Sequence, residues 1–349
     1  MKILISWPGH YRDWELGNSM TNAQHAWWLW YGLRTRYGAD NIRWIDWNAP
    51  VPHDIPEGAR LYSHTSWPIG SGGLALQAEV KRRGGTVYAI TNDPLYNYVV
   101  EHGMYNLHGF QGFDNKRENY DPRNPSWYAQ QQKDEFANVD VMFCHTSDVG
   151  LELWRGHRPG GKARRDFLKG LRFVPFMSPI DKRAFARHRT EWKPGKFLTM
   201  RGTSTRKRQQ DFRRLFPDVS TTFPTENWSW HCKHTWLPTV EACAVLAHPS
   251  LQEGFPYFAA ECLCKGMQLL GGEDWWDGYG QEELIYRQSV DGACDRDNAE
   301  KVKLLSSDSP RARELYDFVQ ERFRSRQDNE WPWVFDNLFC KEPHELPSA

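Results

Sequence analysis

Two successive series of short, strongly apolar, strand-like runs, each alternating with helical stretches, constrain this chain more than any other feature. The first series opens with Lys2-Ile3-Leu4-Ile5-Ser6 and is stopped by Pro8-Gly9. A helix is predicted from Asn22 to Tyr37, with Ala26, Trp27, Trp30 and Leu33 at helical spacing and Gly38 as its stop. Strands are predicted over Asn41–Asp46, Arg60–Ser63, Thr86–Ile90 and Val139–Cys144. Gly70-Ser71-Gly72-Gly73 leads into a helix over Leu74–Arg83, and Gly103–Pro125 reads as a long polar loop. The second series starts after Pro194-Gly195 with a strand over Lys196–Met200 and a helix over Arg208–Phe216. A helix over Thr239–Ala244 is predicted to lead into Val245-Leu246-Ala247, then a helix over Tyr257–Cys264 into Met267–Leu270. Helical stretches over Asn298–Leu305, Pro310–Arg326 and Glu330–Phe339 close the chain. Strands this apolar must be covered on both faces, which calls for parallel sheets with crossover helices. The expected class is α/β, with two parallel-sheet domains, a seam between about Pro175 and Pro194, and a cleft between the carboxyl ends of the sheets.

Length and composition agree with that reading. A chain of 349 residues suits about two domains. Hydrophobic residues at 40% and aromatics at 14% supply sizeable cores and exclude global disorder. The apolar run after Met1 is too short for a signal peptide, and no stretch approaches the ~20 apolar residues of a membrane helix. Seven scattered cysteines do not make a disulfide framework. A soluble, cytoplasmic, monomeric protein without a membrane partner is expected. Net charge is zero, with 44 basic and 44 acidic residues, yet Leu151–Arg214 holds nineteen Lys/Arg against five Asp/Glu. That local +14 reads either as a polyanion-facing surface or as charge spread over solvated helix faces.

Three places carry chemistry. In Glu253-Gly254-Phe255-Pro256-Tyr257-Phe258-Ala259-Ala260-Glu261, two glutamates lie eight positions apart around a strand-to-helix turn. Free N–H groups of Gly254, Phe255 and the first helical turn can hold a phosphate, and Glu261 can accept hydrogen bonds from a ribose diol. Arg201-Gly202-Thr203-Ser204-Thr205-Arg206-Lys207-Arg208 puts small residues, hydroxyls and cations directly after a strand, where a diphosphate needs them. An ordinary charged turn is the plainer alternative. Asp93, in Thr91-Asn92-Asp93-Pro94, stands just past a strand and reads as a general base on an acceptor hydroxyl or as a turn former. His64 ends another strand in the same manner. His231-Cys232-Lys233-His234 and Cys262-Leu263-Cys264 lack the paired spacing of structural zinc, so no metal site is expected.

The pair of glutamates around Gly-Phe-Pro resembles the E-x7-E element of GT-B glycosyltransferases, and the basic loop after the second domain's first strand resembles their diphosphate site. In segment order along the whole chain the sequence resembles the phage DNA glucosyltransferases that modify hydroxymethylcytosine, most closely the β-glucosyltransferases. The resemblance implies two Rossmann-like domains facing across a cleft: residues 1–178 on the acceptor side, 179–326 for the nucleotide sugar, and 327–349 as a helix crossing back to the first domain. It implies transfer of a sugar, glucose from UDP-glucose, onto a hydroxymethylpyrimidine in double-stranded DNA. No tightly bound cofactor is implied beyond the UDP-sugar donor, with Mg2+ or Mn2+ as an optional companion. The donor site falls on Arg201, Gly202, Ser204, Arg206, Arg208, Glu253, Gly254, Phe255 and Glu261. The catalytic aspartate corresponds to Asp93, or to Asn92 in an ungapped pairing. His64 falls on the acceptor side, and Phe258 stands where a helix arginine is expected. The charge asymmetry assigns Arg164, Arg165, Lys182 and Arg183 to the DNA backbone. A GT-B enzyme acting on a saccharide or lipid-linked acceptor is the alternative.

Overall fold

The computed structural model describes residues 2–7, 21–64, 71–91, 137–145, 172–176, 191–199, 209–219, 221–222, 241–249, 257–272, 281–287, 295–339 and 341–346. The first sheet contains β1 (Ile3–Trp7), β2 (Ile42–Asp46), β3 (Arg60–His64), β4 (Thr86–Thr91), β5 (Val141–His145) and β6 (Arg172–Phe176), in the order β2-β1-β3-β4-β5-β6. Every pairing in it is parallel. Helix α1 (Thr21–Tyr37) follows β1, and α2 (Ser71–Arg82) follows β3. Alternate residues sort to two faces, as the pleat requires. Ile3, Ile5, Tyr62, Tyr88, Ile90 and Phe143 pack with Leu29, Trp30 and Leu33 of α1. Leu4, Leu61, Val87, Ala89 and Met142 pack with Leu76 and Val80 of α2. The predicted stop of α1 holds: Gly38 takes φ 83° and its N–H reaches the Arg34 carbonyl at 2.9 Å.

The second sheet contains β7 (Lys196–Thr199), β8 (Thr221–Thr222), β9 (Cys243–His248), β10 (Gln268–Gly272) and β11 (Ile285–Tyr286), in the order β11-β10-β9-β7-β8, again all parallel. Helices α3 (Gln209–Leu215), α4 (Tyr257–Cys264), α5 (Asp295–Leu305) and α6 (Pro310–Val334) accompany it. Its core joins Phe197, Leu246 and Leu269 to Phe258 and Leu263 of α4 and Leu315, Tyr316, Val319 and Phe323 of α6.

Several local expectations are corrected. Cys243 and Ala244, predicted as the end of a helix, open β9, because both are buried and Cys243 pairs with Lys196 across the ladder. Tertiary pairing outweighs the weak helical preference there. The two stretches predicted over Pro310–Arg326 and Glu330–Phe339 are one helix, α6, continuing into a wider π turn over Phe335–Phe339. Strand β6 went unpredicted because Arg172 and Pro175 break its pattern, and an edge strand tolerates both. β8 and β11 are two residues each, too short to show a period.

Helix α6 belongs to both cores. Near its start, Tyr316 Oη donates to the Gly266 carbonyl at 3.0 Å and Gln320 Nε2 to the Met267 carbonyl at 3.0 Å. At its end, Val334, Phe335, Leu338 and Phe339 join the core of the first sheet. Tyr62 donates its hydroxyl proton to the Phe339 carbonyl, Tyr88 Oη reaches the Lys341 carbonyl at 3.2 Å, and buried Arg60 pairs with Glu342.

Phe335 meets α1 at Gly32, where an added Cβ would come within 2.0 Å of the Phe335 ring. Gly32→Ala is therefore expected to destabilise the protein by about 1–3 kcal/mol or more in urea unfolding. Combined with Phe335→Leu it should cost less than the sum of the two single changes. Additive costs would show that the two residues do not meet.

Candidate functional site

In open parallel sheets ligands bind outside the carboxyl ends of the strands, where the strand order reverses. Both sheets here reverse after their first strand. The reversal lies between β1 and β3 in the first sheet and between β7 and β9 in the second.

At the first reversal, β1 ends in Ser6-Trp7 and β3 in Ser63-His64, with Ser6 and Ser63 as direct partners in register. Both serines lie on the α2 face, where Gln77 of α2 reaches Ser63 and donates from Nε2 to its Oγ at 3.2 Å. All three side chains are buried, and Ser6 Oγ and Gln77 Oε1 have no hydrogen-bond partner. Beside them Trp7 stacks on Trp47 at 5.7 Å.

At the second reversal, β7 ends in Thr199 and β9 in His248, both buried, and Thr199 Oγ1 has no partner. The adjoining strand β10 ends in Gly271-Gly272, with Gly271 opposite His248, so β10 itself puts no side chain on that margin. Helix α4 follows β9 and is buried at every position from Phe258 to Cys264. A helix so placed should be apolar all round, yet it carries Glu261, which is only 2% exposed. Burying a carboxylate is costly unless charge or hydrogen bonds answer it, and Glu261 is the one charged group in this otherwise apolar helix. The neighbouring Cys262 thiol is pushed well above its ordinary value, chiefly by burial and further by the charge of Glu261. α6 is anchored on the end of that helix and the turn after it, through the carbonyls of Leu263, Gly266 and Met267.

Of the predicted site residues, Glu261 lies in α4 as expected, and His64 is the last residue of β3, opposite Ile90, with its side chain outside the described residues. Asp93 lies outside them, two positions beyond β4. So do Arg201, Gly202, Ser204, Arg206 and Arg208 between β7 and α3; Glu253, Gly254 and Phe255 between β9 and α4; and Arg164, Arg165, Lys182 and Arg183 on either side of β6. The sequence reading missed Ser6, Gln77 and Thr199 as members of the two margins. A hydroxyl residue at the carboxyl end of an apolar strand (Ser6, Ser63, Thr199) was the available signal, but it has no meaning until the strand order is known. Among the described residues no group of three His, Cys, Asp or Glu could hold a metal ion. No helix among them is long and apolar enough to cross a membrane.

No protein-family model matches the sequence, and a search of curated proteins finds no match. Solved structures do match. OtsA, a trehalose-6-phosphate synthase, superposes with a TM-score of 0.61 at 8% identity, over 98% of this chain and 99% of that one. The sucrose-phosphate synthase of Thermosynechococcus elongatus gives 0.60 at 11% identity, over 97% and 99%. The N-terminal domain of Candida albicans trehalose-6-phosphate phosphatase gives 0.56 at 10% identity, over 96% and 95%. The chain spans 58% of the chain it matches in the GtfA/B complex, at a TM-score of 0.49. The fold is thus GT-B, as the sequence predicts. At such identities the likeness carries the fold alone, and activity must be argued from the site.

The thiols of Cys243, Cys262 and Cys264 are buried. They are expected to resist iodoacetamide at pH 8 in the folded protein and to react once urea unfolds it, as peptide mass mapping would read. Fast labelling of Cys262 in the folded protein would contradict the burial of α4.

Proposed function

We propose that the protein is a nucleotide-sugar-dependent glycosyltransferase, moving a sugar, in the first instance glucose from UDP-glucose, onto an acceptor hydroxyl. The observation that carries this reading is the buried Glu261 on the helix that follows the second strand-order reversal of a GT-B fold. In this reading Glu261 accepts the ribose hydroxyls. The N–H groups of Gly254 and Phe255, with Glu253 in the same turn, and the loop bearing Arg201, Gly202, Ser204, Arg206 and Arg208 take the diphosphate. Thr199, at the root of that loop, is the described polar side chain nearest to it in the chain. Asp93, leaving the carboxyl edge of the first sheet after β4, takes the proton of the acceptor hydroxyl as it attacks the anomeric carbon. UDP leaves with the bonding electrons. Mg2+ or Mn2+ enters only as a companion of the donor diphosphate.

Two variants in one assay separate binding from chemistry. Glu261→Ala strands ribose hydroxyls in a closed site and should weaken UDP by about 1–3 kcal/mol in calorimetry. Asp93→Asn should leave UDP binding intact while turnover falls at least about a hundredfold. UDP affinity untouched in Glu261→Ala would remove the donor assignment. Near-normal turnover in Asp93→Asn would pass the proton to another group.

For the acceptor we propose a hydroxymethylpyrimidine in duplex DNA, because the +14 segment concentrates positive charge in an otherwise acidic chain. Incubation with a panel of nucleotide sugars and hydroxymethylated or plain DNA, read by added mass on nucleosides, tests it directly. Each neutralised phosphate contributes about −0.9 to the slope of log K against log salt. Replacing Arg164 and Arg165 by Ala should therefore flatten the slope by about two, evenly across sequences. Salt-insensitive transfer, or transfer to free sugars and never to DNA, would hand the acceptor to the saccharide reading.

A further inference from the structure

Resting on that glycosyltransferase reading, we infer that Gln77 is a positioning residue for the acceptor, acting with Ser6 and Ser63 to fix the carboxyl ends of β1 and β3 at the first strand-order reversal.

The location is the first reason. Ser6 and Ser63 are register partners on the two strands between which the order turns, the margin where a doubly wound sheet offers its ligand crevice. The chain leaves that margin immediately after both: β1 ends at Trp7 and β3 at His64. Gln77 stands in the second turn of α2. A helical side chain leans toward the amino end of its helix, so from there it returns to the strand end that feeds the helix. Its Nε2 donates to Ser63 Oγ at 3.2 Å, one residue before His64.

The second reason is that stability does not ask for this polarity. Apolar residues surround it on the same face: Leu4 and Leu61 two positions back along the two strands, and Leu76 and Val80 beside Gln77 on α2. Within that setting Gln77 is fully buried, Ser6 is 1% exposed, and Gln77 Oε1 and Ser6 Oγ both lack a partner. A buried polar atom without a partner forfeits its hydration and gains nothing in return. An alanine at position 6, or a methionine at 77 together with an alanine at 63, would leave no such unpaired atom. Polar groups kept against stability cluster where structure serves function. Because these atoms are closed to solvent, their role passes through what they hold: the direction of the last β3 residues, and with it the backbone that presents His64.

The test compares wild type with Gln77→Met, Ser63→Ala and the double variant, and uses Ser6→Ala to check the stability argument. The acceptors are a duplex carrying hydroxymethylcytosine and free glucose, and UDP binding is measured in parallel. Ser6→Ala is expected to hold or raise Tm, by up to about 2–4 °C, and Gln77→Met, which removes one unpaired atom while taking the donor from Ser63 Oγ, to hold it. Gln77→Met should raise KM for the acceptor roughly tenfold, with UDP affinity and donor KM within about twofold of wild type. Ser63→Ala should do the same, and the double variant should be no worse than either single change, because both remove one hydrogen bond. A lowered Tm in Gln77→Met with unchanged acceptor KM would make the cluster a plain structural element and overturn the inference alone. Wild-type protein that transfers to neither acceptor while binding no UDP would overturn the glycosyltransferase reading, and this inference with it.

Discussion

The molecule depends on one helix being shared between two hydrophobic cores. Neither sheet is closed by its own sequential helices alone. Phe323 and the residues one to three turns before it on α6 finish the second core, and the turn over Phe335–Phe339 finishes the first, twelve to sixteen residues further along the same helical path. At the end that meets the first sheet the docking is as specific as a core packing. Phe339 sits edge-on to Tyr62 and Phe143, Phe335 fills the space that Gly32 leaves, and the Arg36 guanidinium lies over the Phe335 ring while pairing with Asp336 at 2.8 Å. The tail beyond is held by its carbonyls: Lys341 accepts from Tyr88 and Pro343 from Arg172. Tyr88 pays for that position with a hydroxyl held up at about 12, mainly by burial.

Such a strap ties together the parts on which catalysis would draw. α6 is anchored on the carbonyls that end α4, and α4 carries Glu261. The other end of α6 is anchored on β3 and β4, through Tyr62 and Tyr88. One helical path thus has hydrogen-bond and packing partners in both sheets.

Much of this was legible in the sequence, and what was not has physical causes. The runs Lys2–Ser6, Thr86–Ile90 and Val245–Ala247 read as buried parallel strands because both of their faces are apolar. Strand order was not legible, since pairing is a property of the sheet rather than of the strand. The significance of Ser6, Thr199 and Gln77 was lost with it. The edge strand β6 escaped for the opposite reason: with only one neighbour it accommodates Arg172 and Pro175 and so looks like a linker. Glu261 was legible because a carboxylate in Tyr257–Cys264, whose other seven residues are apolar or aromatic, contradicts its surroundings at the level of sequence alone.

The basic segment shows how topology refines a charge count. Of its nineteen Lys/Arg, five have places in the described structure. Arg172 opens β6 and donates to the Pro343 carbonyl, so it serves the fold. Lys193 and Lys196 are exposed at the amino end of β7, the margin opposite the one where ligands bind to a parallel sheet. Arg213 and Arg214 lie in the last turn of α3, which joins two parallel strands and must run back toward their amino ends. Any field that draws a polyanion to the carboxyl margins has therefore to come from the other fourteen, which lie in the stretches on either side of β6 and in the loop after β7. Charge at the amino margin is too far to help: a sheet strand of four to six residues spans roughly 13–20 Å, beyond the ~8 Å over which exposed charges act at physiological salt. Under the proposed DNA reading, the salt dependence of binding would therefore rest on those fourteen positions rather than on the whole basic third.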